Sequence, residues 1–337
     1  MSEINVWYGN EQSTPSCGLV QRWVNVLGRV SPVENVQRLR YKLNDSKWQG
    51  LSVGPDYRRL SGHGDFNIEL DYETLELGIN HITLQLETTD GDTVEKLVNI
   101  NKCPEQDLTL PHRVSWTASH PQSDRFNTDA QIIDGLWHID NGHLWVKEAG
   151  YDRAVAVGGL ELTSYNICVP VTVYGFAASG SAPMSGGYGL GIALHWQGHV
   201  DWGADAYASG QPRHGYEPIG AMLWYGWDKQ YGFCLRLESH DAVTPLAIDT
   251  SGFQMAYGQT YMLRFQVVNQ LDGPCHYALK AWHVGDVEPD MWLLEADGSD
   301  GELTHGSALL IAHHTVCSFG EVQLNPVSDI QIQRGAS

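Results

Sequence analysis

Apolar and polar residues alternate with a period of two along nearly the whole chain. The runs RWVNVLGRV (22–30), QRLRYKL (37–43), DFNIELDY (65–72), HITLQLETT (81–89) and EKLVNINK (95–102) each predict a short half-buried strand. Turn clusters VSPVEN, SVGPD and TTDGDT separate them. Residues 102–113 (KCPEQDLTLPHR) carry two prolines and no apolar period, which predicts a linker. Strand patterning then resumes in WHIDNGHLW (137–145), YNICVPVTVYGF (165–176), GYGLGIALHWQ (187–197), IGAMLWYGW (219–227) and GFCLRLES (232–239). It continues through TYMLRFQVV (260–268), HYALKAWHV (276–284), SALLIAHHT (307–315) and the closing VSDIQIQ (327–333). No amphipathic pattern exceeds about two helical turns, so an α/β fold is excluded and an all-β chain is expected.

Two stretches carry a family likeness. Leu77–Gly78–Ile79–Asn80–His81–Ile82–Thr83–Leu84, followed by the Asp90–Gly91 turn, resembles the closing hairpin of bacterial Ig-like and cadherin-like modules. In the second, the Asn-Gly hairpin of 137–145 leads to a long Val-rich strand and to Gly191–Ile192–Ala193–Leu194. Tyr261–Met262–Leu263–Arg264–Phe265 follows, and the chain closes on Val327–Ser328–Asp329–Ile330. That order resembles the concanavalin A-like, laminin-G-type jelly roll. The expected organisation is an N-terminal Ig-like β-sandwich (1–104), a linker (105–113) and a C-terminal concanavalin A-like jelly-roll β-sandwich (114–337). The first module type usually acts as a spacer, and the second bears ligands on its concave face. Fold likeness does not by itself assign a function.

Charge narrows the partners. With 20 basic against 40 acidic residues the formal net charge is −20, most of the excess lying after residue 108. Neither nucleic acid nor an anionic membrane surface suits such a chain. No apolar run reaches a membrane span and no secretory leader opens the sequence, so a cytoplasmic protein or one exported by a non-classical route is expected. The six cysteines include no C-x-x-C pair, which disfavours a zinc ribbon.

Chemistry concentrates between Gly186 and Glu238, where four of the twelve tryptophans fall: Trp196, Trp202, Trp224 and Trp227. Aromatic rings interleaved with ionisable groups suit a flat, half-apolar, hydroxyl-rich ligand such as a sugar. Alternation places Leu190, Ile192, Leu194 and Trp196 on one face and Gly191, Ala193, His195 and Gln197 on the other. Phe233, Leu235 and Leu237 likewise oppose Cys234, Arg236 and Glu238, and Val169, Val171 and Val173 oppose Thr172 and Tyr174. With the aliphatic sets in the core, a concave face is expected to carry Thr172, Tyr174, His195, Gln197, Trp224, Arg236 and Glu238. The strand 219–227 reads both ways, with Leu223 and Tyr225 inside and Trp224 outside, or the reverse. The expected ligand contacts are Tyr174, Gln197, His199, Asp201, Trp202, Trp224, Tyr225, Trp227 and Arg153.

Catalysis stays open. His195, Arg236 and Glu238 are the candidate catalytic residues if the groove is an active site. The Glu-x-Asp-x-x-Glu string of jelly-roll glucanases and the Gln-Ile-His string of jelly-roll lyases are both missing, as are a P-loop and a G-x-S-x-G elbow. His195 and His199 lie four residues apart, about 13 Å along a strand, and could meet at a metal only if a loop begins at Gly198. The jelly-roll likeness implies no required cofactor beyond a structural Ca²⁺ near the closing strand, at Asp329, with Asp134 or Asp140 contributing. Three readings remain: recognition of an oligosaccharide, polysaccharide or glycan-like small molecule; a glycoside hydrolase or polysaccharide lyase in the same groove; and a structural protein whose aromatics only pack.

Overall fold

The computed structural model describes residues 2–117, 129–177, 187–201, 212–215 and 217–327. The fold is all-β: among these residues the only helical segments are two 3₁₀ turns, Val33–Asn35 and Tyr72–Thr74. The front of the chain forms two sheets. One is ordered β1 (Glu3–Val6), β3 (Trp23–Ser31), β6 (Asp65–Asp71); the other β2 (Glu11–Ser13), β8 (Thr93–Lys102), β7 (Gly78–Thr88), β4 (Val36–Leu43), β5 (Gln49–Leu51). Between them pack Val26, Phe66, Ile68, Ile82, Leu84, Val98 and Ile100, the inward halves of the alternating runs.

The back of the chain forms a larger sandwich. Its seven-stranded sheet is ordered β10 (Ala130–Asp134), β13 (Arg153–Val157), β22 (Ser307–His313), β15 (Gly189–Trp196), β16 (Ala221–Asp228), β17 (Gly232–Glu238), β18 (Pro245–Ile248). The facing sheet is ordered β11 (Trp137–Asp140), β12 (His143–Val146), β23 (Thr315–Phe319), β14 (Tyr165–Phe176), β19 (Thr260–Val268), β20 (His276–His283), β21 (Leu294–Asp297). β24 (Val322–Pro326) pairs with β14 and with β9 (His112–Val114). The β11–β12 hairpin turns on Asn141 and Gly142, both with positive φ, as an Asn-Gly turn requires. Leu190, Ile192, Leu223, Leu235 and Leu237 of the first sheet meet Ile167, Val169, Val171, Leu263 and Phe265 of the second.

Two expectations fail here. β14 belongs to the sheet opposite β15–β17, so Thr172 and Tyr174 cannot share a face with Trp224. β15 also carries a bulge: its register with β22 shifts between Ala193 and Trp196, and His195 takes a left-handed backbone with φ 56°. The extra residue exchanges the two faces. Trp196 joins Ala193, Met222 and Ile311 on the outer face, while His195 turns inward beside Tyr165. The 219–227 strand resolves with Leu223 and Tyr225 inside and Trp224 outside. Within 105–113, Gly18 N–H donates to Gln106 O (2.9 Å) and His112 opens a strand.

The front sandwich lies on the outer face of the seven-stranded sheet. Val20 enters the apolar patch of Ile133, Ala154, Ala156, Trp196 and Leu309. Ser307 Oγ donates to Val20 O (2.6 Å) and Trp23 Nε1 to His199 O (2.7 Å). Arg59, 2% exposed, crosses the junction: its Nε donates to Asp134 Oδ2 (2.7 Å) and its NH1 pairs with Glu69. Arg153 NH1 stands 3.8 Å from Asp134 Oδ1, and Arg213 N–H donates to Glu69 Oε2 (2.8 Å). Deleting one partner of a buried ion pair strands the others without water. Arg59→Ala is therefore expected to cost about 3–5 kcal/mol in urea unfolding; a loss under about 1 kcal/mol would show that the network relaxes into solvent.

Candidate functional site

The front sandwich covers the outer face over β10, β13 and β22 and leaves it open toward β16–β18. There a cleft of about 390 Å³ is lined by Tyr151, Asp152, Glu217, Met222, Trp224, Asp228, Arg236, Glu238, Ala242, Val243, Pro245, Ile248 and His313. Its floor is the Trp224 indole. Cross-strand register sets Trp224 against Gly191 on one side and Arg236 on the other. A Cβ at Gly189, Gly191 or Gly226 would meet the indole ring, so these three glycines let it lie down on the sheet. The ring stays partly exposed on its other side.

One wall is cationic at its centre and acidic around it. Arg236 Nε is 2.8 Å from Glu238 Oε1 and NH1 is 3.6 Å from Asp228 Oδ2. Glu238 is 4% exposed, and its Oε2 has no hydrogen-bond partner. Burial pushes its carboxyl up to about 7, against the pull of Arg236. The other wall comes from the turn before β13 and the end of β22. Asp152 Oδ1 and His313 Nδ1 are hydrogen-bonded at 2.7 Å, and the His313 ring sits edge-on to Trp224 (5.9 Å) and Tyr151 (4.9 Å). Burial, then the neighbouring His313, lowers His314 to about 4.

Of the residues expected to bind or react, Trp224, Arg236 and Glu238 meet in this cleft. His195 does not: buried against the facing sheet, its ring nitrogens contact Leu303 O (2.9 Å) and Thr163 O (2.6 Å). Tyr174 stacks on Trp145 at 4.7 Å on the far side of the sandwich. Tyr225 is core, its hydroxyl oxygen accepting from Met255 N–H. Trp227, 58% exposed, packs edge-on against Phe233 beyond the core-facing row. Gln197 Nε2 donates to His305 O (3.1 Å), away from the cleft. His199 lies in the junction under Trp196, held neutral by burial and the nearby Arg59, His214 and Arg213. Asp201 stands 3.6 Å from Arg213 Nε, and Arg153 is buried against Tyr151 O, Ser61 and Asp134. His195 and His199 thus face different layers and cannot share a metal.

Trp202 and Asp329 lie outside the described residues. Asp134 does not fit a calcium ligand, because Arg59 and Arg153 already occupy its surroundings. Among the described residues no three of His, Cys, Asp or Glu gather as metal ligands. Alternation alone missed Tyr151, Asp152 and His313. The signal for His313 was present: Leu309, Ile311 and His313 share one face of β22.

No family model matches the chain, and no curated protein sequence matches it. Solved structures resemble it distantly. The exoplasmic/lumenal domain of VIP36, in a Ca²⁺/Man3GlcNAc-bound form, is 9% identical over 65% of this chain and 90% of that one, with a TM-score of 0.43. Alginate lyase Aly36B is 11% identical over 57% and 83%, with a TM-score of 0.34. A xylan β-1,4-xylosidase from Bacillus halodurans is 11% identical over 90% of this chain and 63% of that one, with a TM-score of 0.36. Likeness at this level carries no argument about activity.

Glu238 makes a pH prediction. Its folded-state pKa is raised, so folding favours the protonated acid; that stability is complete below the ordinary carboxylate range and is lost as pH rises through about 7. Glu238→Gln stays neutral throughout. Its stability relative to the parent is expected to improve by up to about 3 kcal/mol between about pH 5 and pH 9, measured by urea unfolding. A gap that does not move with pH would place the Glu238 titration elsewhere.

Proposed function

We propose that the cleft over Trp224 binds a carbohydrate. One observation carries this reading: an indole laid flat on three glycines, its outer side open, inside a rim of carboxylates and a guanidinium. A flat aromatic surface takes the C–H face of a pyranose, and charged groups at the rim take its hydroxyls through charge-assisted hydrogen bonds. The small apolar edge of Met222, Val243, Pro245 and Ile248 completes a surface that is neither dry nor fully polar.

A second reading makes the same cleft a glycan-active enzyme. It is favoured by the Asp152–His313 hydrogen bond, which orients an imidazole beside Trp224, and by a buried carboxyl poised near neutrality at Glu238. His195, engaged by two carbonyls on the far side of the sheet, has no part in it.

The test is calorimetry with a panel of neutral oligosaccharides, with product release followed in the same samples. Trp224→Ala is expected to weaken binding by at least about tenfold, as loss of an aromatic anchor does, with far-ultraviolet circular dichroism unchanged. Product that disappears in Glu238→Gln would select the enzyme. A Trp224→Ala protein that is destabilised while no parent sample binds any sugar would leave packing as the role of the indole.

A further inference from the structure

We infer that the ligand of this cleft is a cationic amino sugar, a glycan bearing protonated amines, rather than a neutral or uronic-acid one. The inference rests on the carbohydrate reading above and names its chemical class. Four carboxyl side chains line the cleft, Asp152, Glu217, Asp228 and Glu238, against one guanidinium, Arg236. Arg236 is already bracketed by Asp228 at 3.6 Å and Glu238 at 2.8 Å, so it has little charge left for an incoming carboxylate. A uronate would meet the repulsion of these carboxylates.

The acidic count alone would describe any solvated surface. What singles out a ligand is Glu238: 4% exposed, lining the cleft, with Oε2 lacking a hydrogen-bond partner. A buried carboxylate oxygen without a donor is costly, and an ammonium or amine N–H supplies the missing one. The floor agrees, because an indole face attracts a cation as well as a C–H face. The carboxyls are also spread out. Asp228 and Glu238 lie on β16 and β17, while Asp152 holds His313 at the end of β22, two strands beyond β16 in the sheet order. Spacing of that kind suits several charges along an oligomer better than one compact ion.

Binding would also move a proton. The charged groups facing Glu238 are Arg236 on its own strand, Asp228 on β16 and Asp241 in the turn that follows, with Glu217 also on the cleft lining. Burial keeps the acid half-protonated near neutrality, and an ammonium set against it drives that proton into solvent.

The experiment is isothermal calorimetry on the full chain at neutral pH, with three trisaccharides of one linkage: β-1,4-linked glucosamine, its N-acetylated counterpart and the neutral glucose counterpart. The glucosamine trisaccharide is expected to bind at least about tenfold tighter than the glucose one. Its apparent heat should change between buffers of different ionisation enthalpy, reporting proton release. Glu238→Gln should collapse the amine-to-neutral preference and the proton release together. Asp272→Asn, which removes a carboxylate from an exposed segment between β19 and β20 of the other sheet, should leave the ratio where it was.

Equal or tighter binding of the glucose trisaccharide overturns the inference and leaves the carbohydrate reading standing. Amine binding that survives both Trp224→Ala and Glu238→Gln reports only attraction to an acidic surface and also overturns it. No binding by any of the three, with none of the neutral panel binding either, removes the carbohydrate reading itself.

Discussion

The Arg59 guanidinium is the constraint on which the arrangement depends. It comes from a loop of the front sandwich and is buried where the two sandwiches meet, held by Glu69 on one side and Asp134 on the other. A charge placed there cannot be left half-paired, so both sandwiches must present their carboxylates in register. Asp134 lies beside Arg153, and Arg153 is fastened to Tyr151 O, Arg58 O and Ser61 Oγ. The same short turn supplies Tyr151 and Asp152 to the cleft. Ion pairing at the junction thus positions a wall of the candidate site, although Arg59 does not line it.

The all-β class and most strands were legible because burial imposes a period of two. Ile192 and Leu235 face the core as their neighbours in sequence require, and the Asn141–Gly142 turn stands where its dipeptide demands. Sheet membership was not legible. Nothing local to Thr172 or Tyr174 says which of two stacked sheets β14 joins, since both have one apolar and one polar face. Pairing between strands far apart in sequence decides it.

The site was legible in part. Arg236 and Glu238 came through because β17 is regular, and Trp224 because one of its two alternatives held. His195 did not, for a local reason: a single extra residue in β15 leaves Leu194 in the core but exchanges the faces of His195 and Trp196. Period-two counting has no access to a bulge whose signal is only a histidine with positive φ. Trp196, expected inside the sandwich, instead packs under the front sandwich, and His199 follows it into the junction. The glycines at 189, 191 and 226 have a specific use: a place for a ring to lie down.

Because the Tyr151–Asp152 wall is tied to Arg59 through Arg153 and Asp134, occupancy of the cleft and docking of the two sandwiches are linked equilibria. Whatever free energy a ligand gains from a correctly placed wall is returned to the junction that places it, by thermodynamic reciprocity. For a ligand held by that wall, the front sandwich would bear on affinity from a distance, and the ligand would in turn clamp the junction.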